Sequence, residues 1–367
     1  MIELLKKYRR DLHKIPELGF DLPLTTAYVE GILRELGCKV FYPAPSSVCA
    51  FFDGGKADTV AFRADMDALP VREETGAAYA SGHPGNMHAC GHDGHTALLL
   101  ALGGLVRESL KDLPHNVLLI FQPAEETTGG AKAICESGVL EAYKACAIFG
   151  IHLWPELPKG EIWSRPGPVM AKTGIVSVEI EGKSAHVTRS EEGADALAAG
   201  VEFLHRAYEM AQRMEPLEEA RLLKFGYMQS GVAENAVSAH TSIRGTLRAF
   251  SADMHGRMRE ALGHIAGEAG HKTGCSLTLS VSEGYPALRN DGGLYDRLLT
   301  HLGQKAPALL PRPFLTGEDF SFYQQRVPGV FFFLGTGGPA PLHSAAFDFD
   351  EAVLLKGLEL YRRLLEL

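Results

Sequence analysis

The stretch NVLLIFQPAEE, residues 116–126, begins with a nearly unbroken apolar run and ends in two adjacent glutamates. A short run without polar alternation is typical of a strand buried on both faces, as in a parallel sheet. The runs CAIFGIHLW, residues 146–154, and VPGVFFFLG, residues 327–335, have the same character. Between and around them we predict helices over 2–12, 25–37, 95–110, 129–140 and 351–366, and a short strand over 59–62. This alternation predicts an α/β domain whose mostly parallel sheet is flanked by helices.

The pattern changes near residue 173. TGIVSVEIEGKS, residues 173–184, alternates apolar and polar residues, which is typical of a strand with one face in water. The elements predicted next are a helix over 194–214, strands near 222–229 and 240–250, a helix over 254–271 with Asp253 as its N-cap, and a strand over 276–284. Their order is the split βαβ, ferredoxin-like arrangement. We therefore expect an α+β domain over 173–284, inserted into a discontinuous domain of residues 1–172 and 285–367.

Composition limits the kinds of partner. The net charge is −9 and no basic block occurs, so we expect no nucleic-acid partner and no attraction to an anionic membrane. The first residues lack the apolar run of a signal peptide, and no stretch of about 18 uncharged apolar residues predicts a membrane span. Six cysteines are scattered without framework spacing, as expected of reduced thiols in a cytoplasmic protein.

The segment MHACGHDGH, residues 87–95, concentrates metal-binding side chains. Cys90 and His92 lie two residues apart in a glycine-flanked loop that opens the helix predicted from residue 95. A C-x-H pair alone is a weak signal, because such a pair is as often structural as functional. The prediction of a metal site therefore depends on where the remaining candidates fall on the sheet.

Three further groups of candidates follow predicted parallel strands. Glu125 and Glu126 come directly after the strand over 116–121, His152 lies at the end of the strand over 146–151, and His343 follows the strand over 327–335. Open α/β sheets build their sites beyond the carboxyl ends of their strands. We therefore expect these side chains to converge with Cys90 and His92 at one edge.

The donor set predicts a two-metal hydrolase. A thiolate, imidazoles and a carboxylate suit zinc or manganese, with cobalt or nickel as alternatives, and we expect two divalent ions per chain. Adjacent glutamates can divide the work: one binds metal while its neighbour takes a proton from the attacking water, whose pKa a metal lowers to roughly 7. In isolation, Glu125 and Glu126 could equally be a solvated acidic pair after a strand.

Eight motifs carry a resemblance that runs from Leu12 to the C-terminus: FRADMDALP, HPGNMHACGHDGHTA, FQPAEETTGGAK, GIHLW, GKSAH, GTLRAF, TGEDFSFY and PLHS. In this order they resemble the M20 metallopeptidase family, most closely its amidohydrolase branch of N-acyl-amino-acid deacylases, hippurate hydrolases and auxin-conjugate hydrolases. The resemblance implies a two-metal catalytic domain that is interrupted by a lid or dimerisation domain.

The resemblance also implies roles for single residues. Glu125 is similar to the family's general base, and the metal ligands are implied to be Cys90, His92, Glu126, His152 and His343. Other branches have a histidine ligand two residues before the aspartate that matches Asp67, whereas this chain has Asp65. Asp65 and Asp67 are therefore expected to orient ligands rather than to bind metal. We expect structural or ligand-orienting roles for the three remaining histidines of this region, His83, His88 and His95.

In the inserted domain, the resemblance makes His186 of GKSAH a hydrogen-bond donor to the developing oxyanion. It makes Asn235 and Arg248, thirteen residues apart, a pair that grips the substrate carboxylate, which a planar guanidinium can bind in bidentate fashion. Ser238 stands where family members more often have proline. Dimeric relatives complete each active site with such groups from the partner, so we expect a homodimer formed through residues 173–284.

The prediction from sequence is thus an amidohydrolase acting on small-molecule N-acyl amino acids, with N-acetyl amino acids as the expected substrates. HPGNMHACGHD and PAEE-x-x-GGAK resemble N-acetyl-diaminopimelate deacetylases of bacterial lysine synthesis. An aminoacylase of broad acyl range, a hippurate-type hydrolase and a dipeptidase stay open as alternatives. A non-catalytic binding protein on the same fold is a further alternative of a different class.

Overall fold

The computed structural model describes residues 1–127 and 129–367. Thr128, within the FQPAEETTGGAK motif, lies outside the described residues. The strands are β1 (Lys39–Phe41), β2 (Val48–Phe52), β3 (Thr59–Asp65), β4 (Asn116–Gln122), β5 (Ala145–Trp154), β6 (Ile162–Ser164), β7 (Gly167–Met170), β8 (Lys172–Glu181), β9 (Arg221–Ser230), β10 (His240–Ala249), β11 (Ser276–Val281), β12 (Leu288–Asn290), β13 (Ala308–Leu309) and β14 (Gly329–Gly335). The helices are α1 (Ile2–His13), α2 (Pro23–Glu35), α3 (His92–Ser109), α4 (Gly130–Glu136), α5 (Val139–Ala142), α6 (Ala196–Arg213), α7 (Ala252–Thr273), α8 (Gly292–Leu302), α9 (Ser321–Gln324) and α10 (Leu354–Leu364).

The chain divides into two compact units. The first comprises Met1–Val169, Arg289–Arg312 and Asp319–Leu367, and the second comprises Met170–Leu288 and Pro313–Glu318. The assignment of 313–318 differs from the predicted boundary. Main-chain pairing explains it, because Met170 bridges Phe314 and the Ala171 N–H donates to the Thr316 carbonyl oxygen (2.9 Å).

The first unit is built on a sheet of order β1-β2-β4-β3-β5-β14-β6-β13. Its central strands β4, β3, β5 and β14 are parallel to their neighbours in this group, whereas β1, β2 and β6 add antiparallel pairings. The central strands are the buried apolar runs of the sequence, and β4 and β14 are buried along their whole length. The predicted α/β class with a mostly parallel sheet is confirmed.

Helices cover both faces of this sheet. Phe62 of β3 packs against Tyr361 of α10, with ring centroids 5.1 Å apart. Phe331 of β14 points to the opposite face and packs against Phe320, which immediately precedes α9, also at 5.1 Å. The predicted helix over 129–140 is instead two short helices, α4 and α5, because the chain turns at Gly138 with a left-handed φ of 75°.

The second unit contains an antiparallel sheet of order β11-β8-β10-β9. Helices α6 and α7 pack their apolar side chains on it, and the shared core includes Val176, Val178, Phe203, Ile243 and Leu262. With the chain order β8, α6, β9, β10, α7, β11, this is the predicted split βαβ, ferredoxin-like fold.

Helix α7 begins earlier than predicted. Its N-cap is Ser251, whose hydroxyl oxygen accepts a hydrogen bond from the Met254 N–H (3.1 Å). Asp253, the predicted cap, is therefore inside the first turn, where a carboxylate still complements the helix dipole. None of the helices in the described residues is both long and apolar enough to cross a membrane.

Candidate metal centre

The parallel strands of the first unit deliver polar side chains to one edge. Strand β3 ends at Asp65, β4 ends three residues before Glu125, and β5 carries His152 near its end. Because β3, β4, β5 and β14 run parallel, their carboxyl ends share this edge of the sheet. The sequence places His343 eight residues after β14, in the loop that follows it.

These side chains form three overlapping groups. In each group, one ligand atom per residue lies within 4.8 Å of the others: Cys90, His92 and His152; Cys90, Glu126 and His343; and His92, Glu125 and Glu126. Because the groups share members, the structure brings together all five side chains proposed as ligands, and with them Glu125. Nothing in the sequence spacing alone establishes this proximity, since the contributing loops are up to 253 residues apart (343 − 90).

The ring of His92 is oriented as a metal ligand. Its Nδ1–H donates to the main-chain oxygen of Asp67 (2.8 Å), while the buried Nε2 has no hydrogen-bond partner among the described residues. Glu126 Oε1 is 3.8 Å from this Nε2, too far for a hydrogen bond. Two ligands of one zinc ion stand about 3.4–3.6 Å apart in tetrahedral geometry. The orphaned nitrogen thus fits a divalent cation held between these two residues.

His152 is oriented in the same way. Its Nδ1–H donates to the carbonyl oxygen of Leu153 (2.7 Å), which leaves Nε2 directed at Cys90 Sγ, 3.5 Å away. That separation matches the distance expected between sulfur and imidazole ligands of one zinc ion, about 3.6 Å. Burial, and next the charge of His95, lowers the pKa of His152 to about 3, so its ring is neutral and able to bind metal.

The electrostatics of the cluster favour a cation. Burial raises the pKa of the Cys90 thiol well above its ordinary value, and the charges of Glu126 and Glu125 raise it further. Burial alone would lower the pKa of His92, yet the charge of Asp65 and the hydrogen bond to Asp67 raise it to about 10. The excess of carboxylates therefore draws a proton onto His92, and a divalent ion would replace that proton and convert the thiol to a thiolate.

Asp67 sets the path of the chain that carries the two glutamates. Its carboxylate oxygens accept hydrogen bonds from the main-chain N–H groups of Glu125 (3.0 Å) and Glu126 (3.1 Å). Ala124 just before them has a left-handed φ of 59°, a strained conformation for alanine that is held by its surroundings. Gly130 closes the turn, since a Cβ there would lie 1.9 Å from the Pro123 carbonyl oxygen. This turn holds both carboxylates against the cluster, where one oxygen of each lies within 4.8 Å of a ring nitrogen of His92.

His343 is the ligand candidate that is open to solvent. Its side chain is 53% exposed, and its Nε2 is 3.3 Å from Glu126 Oε1. Burial alone would raise the pKa of Glu126, but hydrogen bonding to His343 and the charge of His92 lower it to about 2. Glu126 is therefore a carboxylate throughout the neutral range, as a metal ligand must be.

A second layer of buried groups surrounds the candidate ligands; Asp65 was expected in it from the sequence, whereas Arg9, His13 and Asp93 were not. Asp65 accepts hydrogen bonds from Arg63 (2.6 Å) and from His95 Nδ1–H (2.6 Å), so each of its carboxylate oxygens already has a donor. Asp93 accepts from Arg9 (2.9 Å) and from His13 (2.7 Å) and ties α1 to the start of α3. Arginine at position 9 is buried in this cluster, and only its tertiary contacts distinguish it from the surface cations of α1.

The other histidines of the region do not join the ligand groups. His83 Nδ1 contacts the Pro16 carbonyl oxygen (3.0 Å), and His88 is buried outside the metal-binding groups found among the described residues. His95 lies within ligand distance of Asp65 and His92, yet both of its ring nitrogens already have partners, since Nε2 accepts from the Leu153 N–H (2.9 Å). This saturation agrees with a ligand-orienting role for His95.

The candidates in the second unit lie at two ends of its sheet. His186 bridges Ala236, and the Val187 N–H donates to the Asn235 carbonyl oxygen (3.2 Å), so these residues extend the β8–β10 ladder beyond His240. Arg248 pairs with Thr173 at the other end of β10. Arg248 lies eight residues further along the strand than His240, which corresponds to a distance of about 26 Å along the strand. Asn235 and Arg248 of one chain are therefore not neighbours.

Together, the sheet-edge cluster of imidazoles, a thiol and carboxylates defines the class of metal-dependent hydrolases. Residues 61–367 match the model of peptidase family M20/M25/M40. The chain is 34% identical to an N-acetyldiaminopimelate deacetylase of Streptococcus uberis, over 100% of this chain and 99% of that protein. It is also 34% identical to an N-acetyl-L-cysteine deacetylase of Bacillus subtilis, over 95% of this chain and 84% of that protein.

Solved structures agree with these matches. A Bacillus subtilis protein, described as a dinuclear metal-binding peptidase from the M20 family, superposes with a TM-score of 0.87 at 30% identity, covering 99% of this chain and 97% of that one. The chain belongs to peptidase family M20/M25/M40 and is a hydrolytic enzyme. The predicted family and the predicted hydrolase class are confirmed, and the metal-binding groups fit a dinuclear centre.

Proposed function

We propose that the enzyme hydrolyses the amide bond of N-acyl amino acids, with the acetyl group as the preferred acyl group and N-acetyl-diaminopimelate as one candidate substrate. The names of the Streptococcus uberis and Bacillus subtilis relatives support deacetylation of an amino acid derivative. An identity of 34% supports the reaction type more strongly than it supports the amino acid. Broad aminoacylase, hippurate-type and dipeptidase activities stay as alternatives.

The observation that carries the proposal is the matched orientation of two imidazoles. His92 and His152 each use Nδ1 for a main-chain oxygen and turn Nε2 toward the thiol and carboxylate groups. We propose that Cys90, His92, Glu126, His152 and His343 hold two divalent ions, zinc or manganese, with cobalt or nickel as alternatives. When bound, these ions supply Lewis acidity that makes water deprotonable near neutral pH and polarises the amide carbonyl.

Glu125 is the proposed general base. It lies beside Glu126 in the turn organised by Asp67, and its side chain is buried within reach of the same cluster. A carboxylate there takes the proton of the attacking water and then delivers it to the leaving nitrogen. The adjacent Glu126 holds metal instead, because its oxygen faces His92 and His343.

His186 is the proposed donor to the oxyanion. Its Nδ1 accepts a hydrogen bond from the Thr188 N–H (3.3 Å) and lies 2.8 Å from the Thr188 hydroxyl, which can donate to the same nitrogen; in the proposed tautomer the ring proton is on Nε2, available for donation. The side chain is exposed, as a group that meets substrate must be. A donor of this kind is worth about 3 kcal/mol in comparable sites.

The substrate carboxylate is proposed to be held by Asn235 and Arg248. Because about 26 Å of strand separates the two ends of β10, a single carboxylate can contact both only if they come from different chains. This geometry supports a homodimer in which the second unit contributes His186 and Asn235 to the partner's site. Strand β9 is an edge of the sheet, and exposed Leu197, Val201 and Tyr227 on α6 and β9 supply apolar surface for such an interface.

A substrate panel tests the proposal. Metal-loaded protein is incubated with N-acetyl, N-benzoyl and N-succinyl forms of several amino acids, N-acetyl-diaminopimelate, and dipeptides, and free amine is measured. Fastest release from acetyl substrates is the expected result. Preference for benzoyl substrates would establish the hippurate-type alternative, preference for dipeptides the peptidase alternative, and no release from any substrate a binding protein.

A further inference from the structure

His95 uses both of its ring nitrogens in a chain of contacts that ends at the candidate ligand His152. The Leu153 main-chain N–H donates to His95 Nε2 (2.9 Å), so this nitrogen carries a lone pair and the ring proton is on Nδ1. Nδ1–H donates to Asp65 Oδ1 (2.6 Å). The two contacts define one tautomer and one orientation of a fully enclosed ring.

Leu153 connects that ring to His152 through its own main chain. Its N–H is taken by His95, and its carbonyl oxygen accepts the Nδ1–H of His152 (2.7 Å). The rings of His95 and His152 also meet edge to face, with centroids 4.6 Å apart. The position of the Leu153 peptide and the tilt of the His152 ring therefore both depend on His95.

We propose that His95 is a positioning residue that holds the Leu153 main chain and thereby points His152 Nε2 at the metal centre. The inference rests on the proposed function, since it takes His152 as a metal ligand. His95 itself does not touch the metal, because neither nitrogen is free.

The far end of the chain of contacts is buried and held by charged hydrogen bonds. Asp65 accepts from Arg63 (2.6 Å), and Arg63 in turn donates to Asp319 (2.7 Å), all three being buried. The Asp65 carboxylate, so held, accepts the Nδ1–H of His95 and orients the ring.

Two substitutions test the contacts of the two ring nitrogens of His95 separately. His95→Asn keeps a donor near the Nδ1 position, facing Asp65, but loses the acceptor for the Leu153 N–H. His95→Gln places its amide oxygen near the Nε2 position and keeps that acceptor. Each variant, freed of metal, is titrated with Co²⁺ in competition with a chromophoric chelator, and the Co²⁺ absorption spectrum is recorded.

We expect His95→Asn to weaken one Co²⁺ binding step by about 10–100-fold, which is the range for the loss of a residue that orients a metal ligand. His95→Gln should stay within about threefold of wild type, with an unchanged Co²⁺ spectrum. Equal affinity of the two variants would overturn the inference, whether both bind normally or both bind weakly, because a packing role does not distinguish an acceptor from a donor.

Two controls accompany the titration. His255→Asn replaces a histidine of the second unit that is equally buried and should leave both Co²⁺ steps unchanged. His152→Ala should remove one step. Retention of both steps by His152→Ala refutes the proposed metal centre itself, whereas loss in His152→Ala with normal binding by His95→Asn refutes only the positioning role.

A measurement on the wild-type chain covers the case in which His95→Asn does not fold. The ¹⁵N chemical shifts of histidine rings report which nitrogen is protonated. His95 should be protonated at Nδ1 alone near neutral pH. Protonation at Nε2 would contradict the inference, since Leu153 could not then donate to it.

Discussion

His343 donates its main-chain N–H to the carbonyl oxygen of Ala89, over a distance of 2.8 Å. The loop after the last central strand is thereby fastened to the residue that precedes Cys90. His343 has a left-handed φ of 66°, a conformation that a non-glycine residue adopts only when its surroundings hold it there. The two candidate ligands from the most distant parts of the chain are thus linked through their main chains.

The first prediction concerns the thiol. Cys90→Ser should deplete one or both metals, because a serine hydroxyl stays neutral at pH 7 and is a poor substitute for thiolate. The metal content of the dialysed variant, measured by plasma mass spectrometry, gives the answer. Two metals per chain together with normal activity would show that Cys90 does not bind metal.

The second prediction separates the adjacent glutamates. Glu125→Gln should leave fold and metal content nearly intact but lower turnover by about a thousandfold or more, since an amide cannot accept the proton and general bases contribute roughly 10²–10⁴. Steady-state kinetics on metal-loaded protein measures the effect. A variant that keeps over a tenth of wild-type turnover would rule out Glu125 as the base.

Glu126→Gln is the matched control, since it makes the same substitution one residue further on. It should lose metal on dialysis, because the carboxylate that faces His92 and His343 is replaced by a neutral amide. Equal metal retention by the two variants would contradict the division of roles between the glutamates.

The third prediction concerns the proposed dimer. Glu125→Gln and His186→Ala, each inactive alone, should regain activity after mixing and subunit exchange, because a mixed dimer has one site with an intact base and an intact partner histidine. Random exchange makes half of the dimers mixed, each with one good site of two, so the ceiling is about a quarter of wild-type activity. Activity after exchange is the measurement.

Subunit exchange must be shown independently, for example by mass spectrometry of differently labelled chains. If exchange is complete and activity does not return, His186 acts within its own chain or has no part in the reaction. A pair of Glu125→Gln and Glu126→Gln serves as the negative control, since a mixed dimer of these variants has no intact site.

The fourth prediction concerns pH and stability. Burial alone would raise the pKa of Asp93, but the charge of Arg9 and the hydrogen bond from His13 hold it well below its ordinary value of 3.8. The stability supplied by this carboxylate is therefore fully present above about pH 5 and is lost progressively as the pH falls further. Asp93→Asn should cost about 1.5–3 kcal/mol at pH 7, because buried Arg9 and His13 lose a charged hydrogen-bond partner while Arg9 keeps its ion pairs with Asp348 and Glu351.

The stability of Asp93→Asn should also depend less on pH in the acid range than that of the wild type. Thermal unfolding of metal-free protein, followed from pH 3 to pH 8, would show a difference from wild type that is constant above about pH 5 and shrinks toward pH 3. A difference that does not change with pH would mean that the Asp93 carboxylate contributes through packing rather than charge.

The sequence was informative where one physical signal dominates. The central strands were predictable because a strand buried on both faces must be apolar throughout, as in β4 and β14. Strands β1, β6 and β13 were missed, since two or three residues with mixed exposure carry no period. The N-cap of α7 was misplaced because Ser251 and Asp253 are both good caps and only the backbone path distinguishes them.

In the candidate site, strand ends and family motifs pointed to the ligands and to Glu125. The contacts that orient them were not predictable, because the saturation of His95 depends on a main-chain N–H donated by Leu153 and leaves no trace in residue type. The burial of Arg9 is similarly a tertiary property. The family resemblance implied that Asn235 and Arg248 act as a pair, but only the strand between them shows that within one chain they lie at opposite ends of the sheet.

The fastening of His343 to Ala89 has a consequence for how the protein is made. Ribosomes add about 5–20 residues per second, so the 253 residues from Cys90 to His343 (343 − 90) take about 13–50 s to synthesise. Throughout that time the nascent chain holds a thiol whose metal-binding partners do not yet all exist. The proposed metal centre can therefore be completed only after nearly the whole chain has been synthesised.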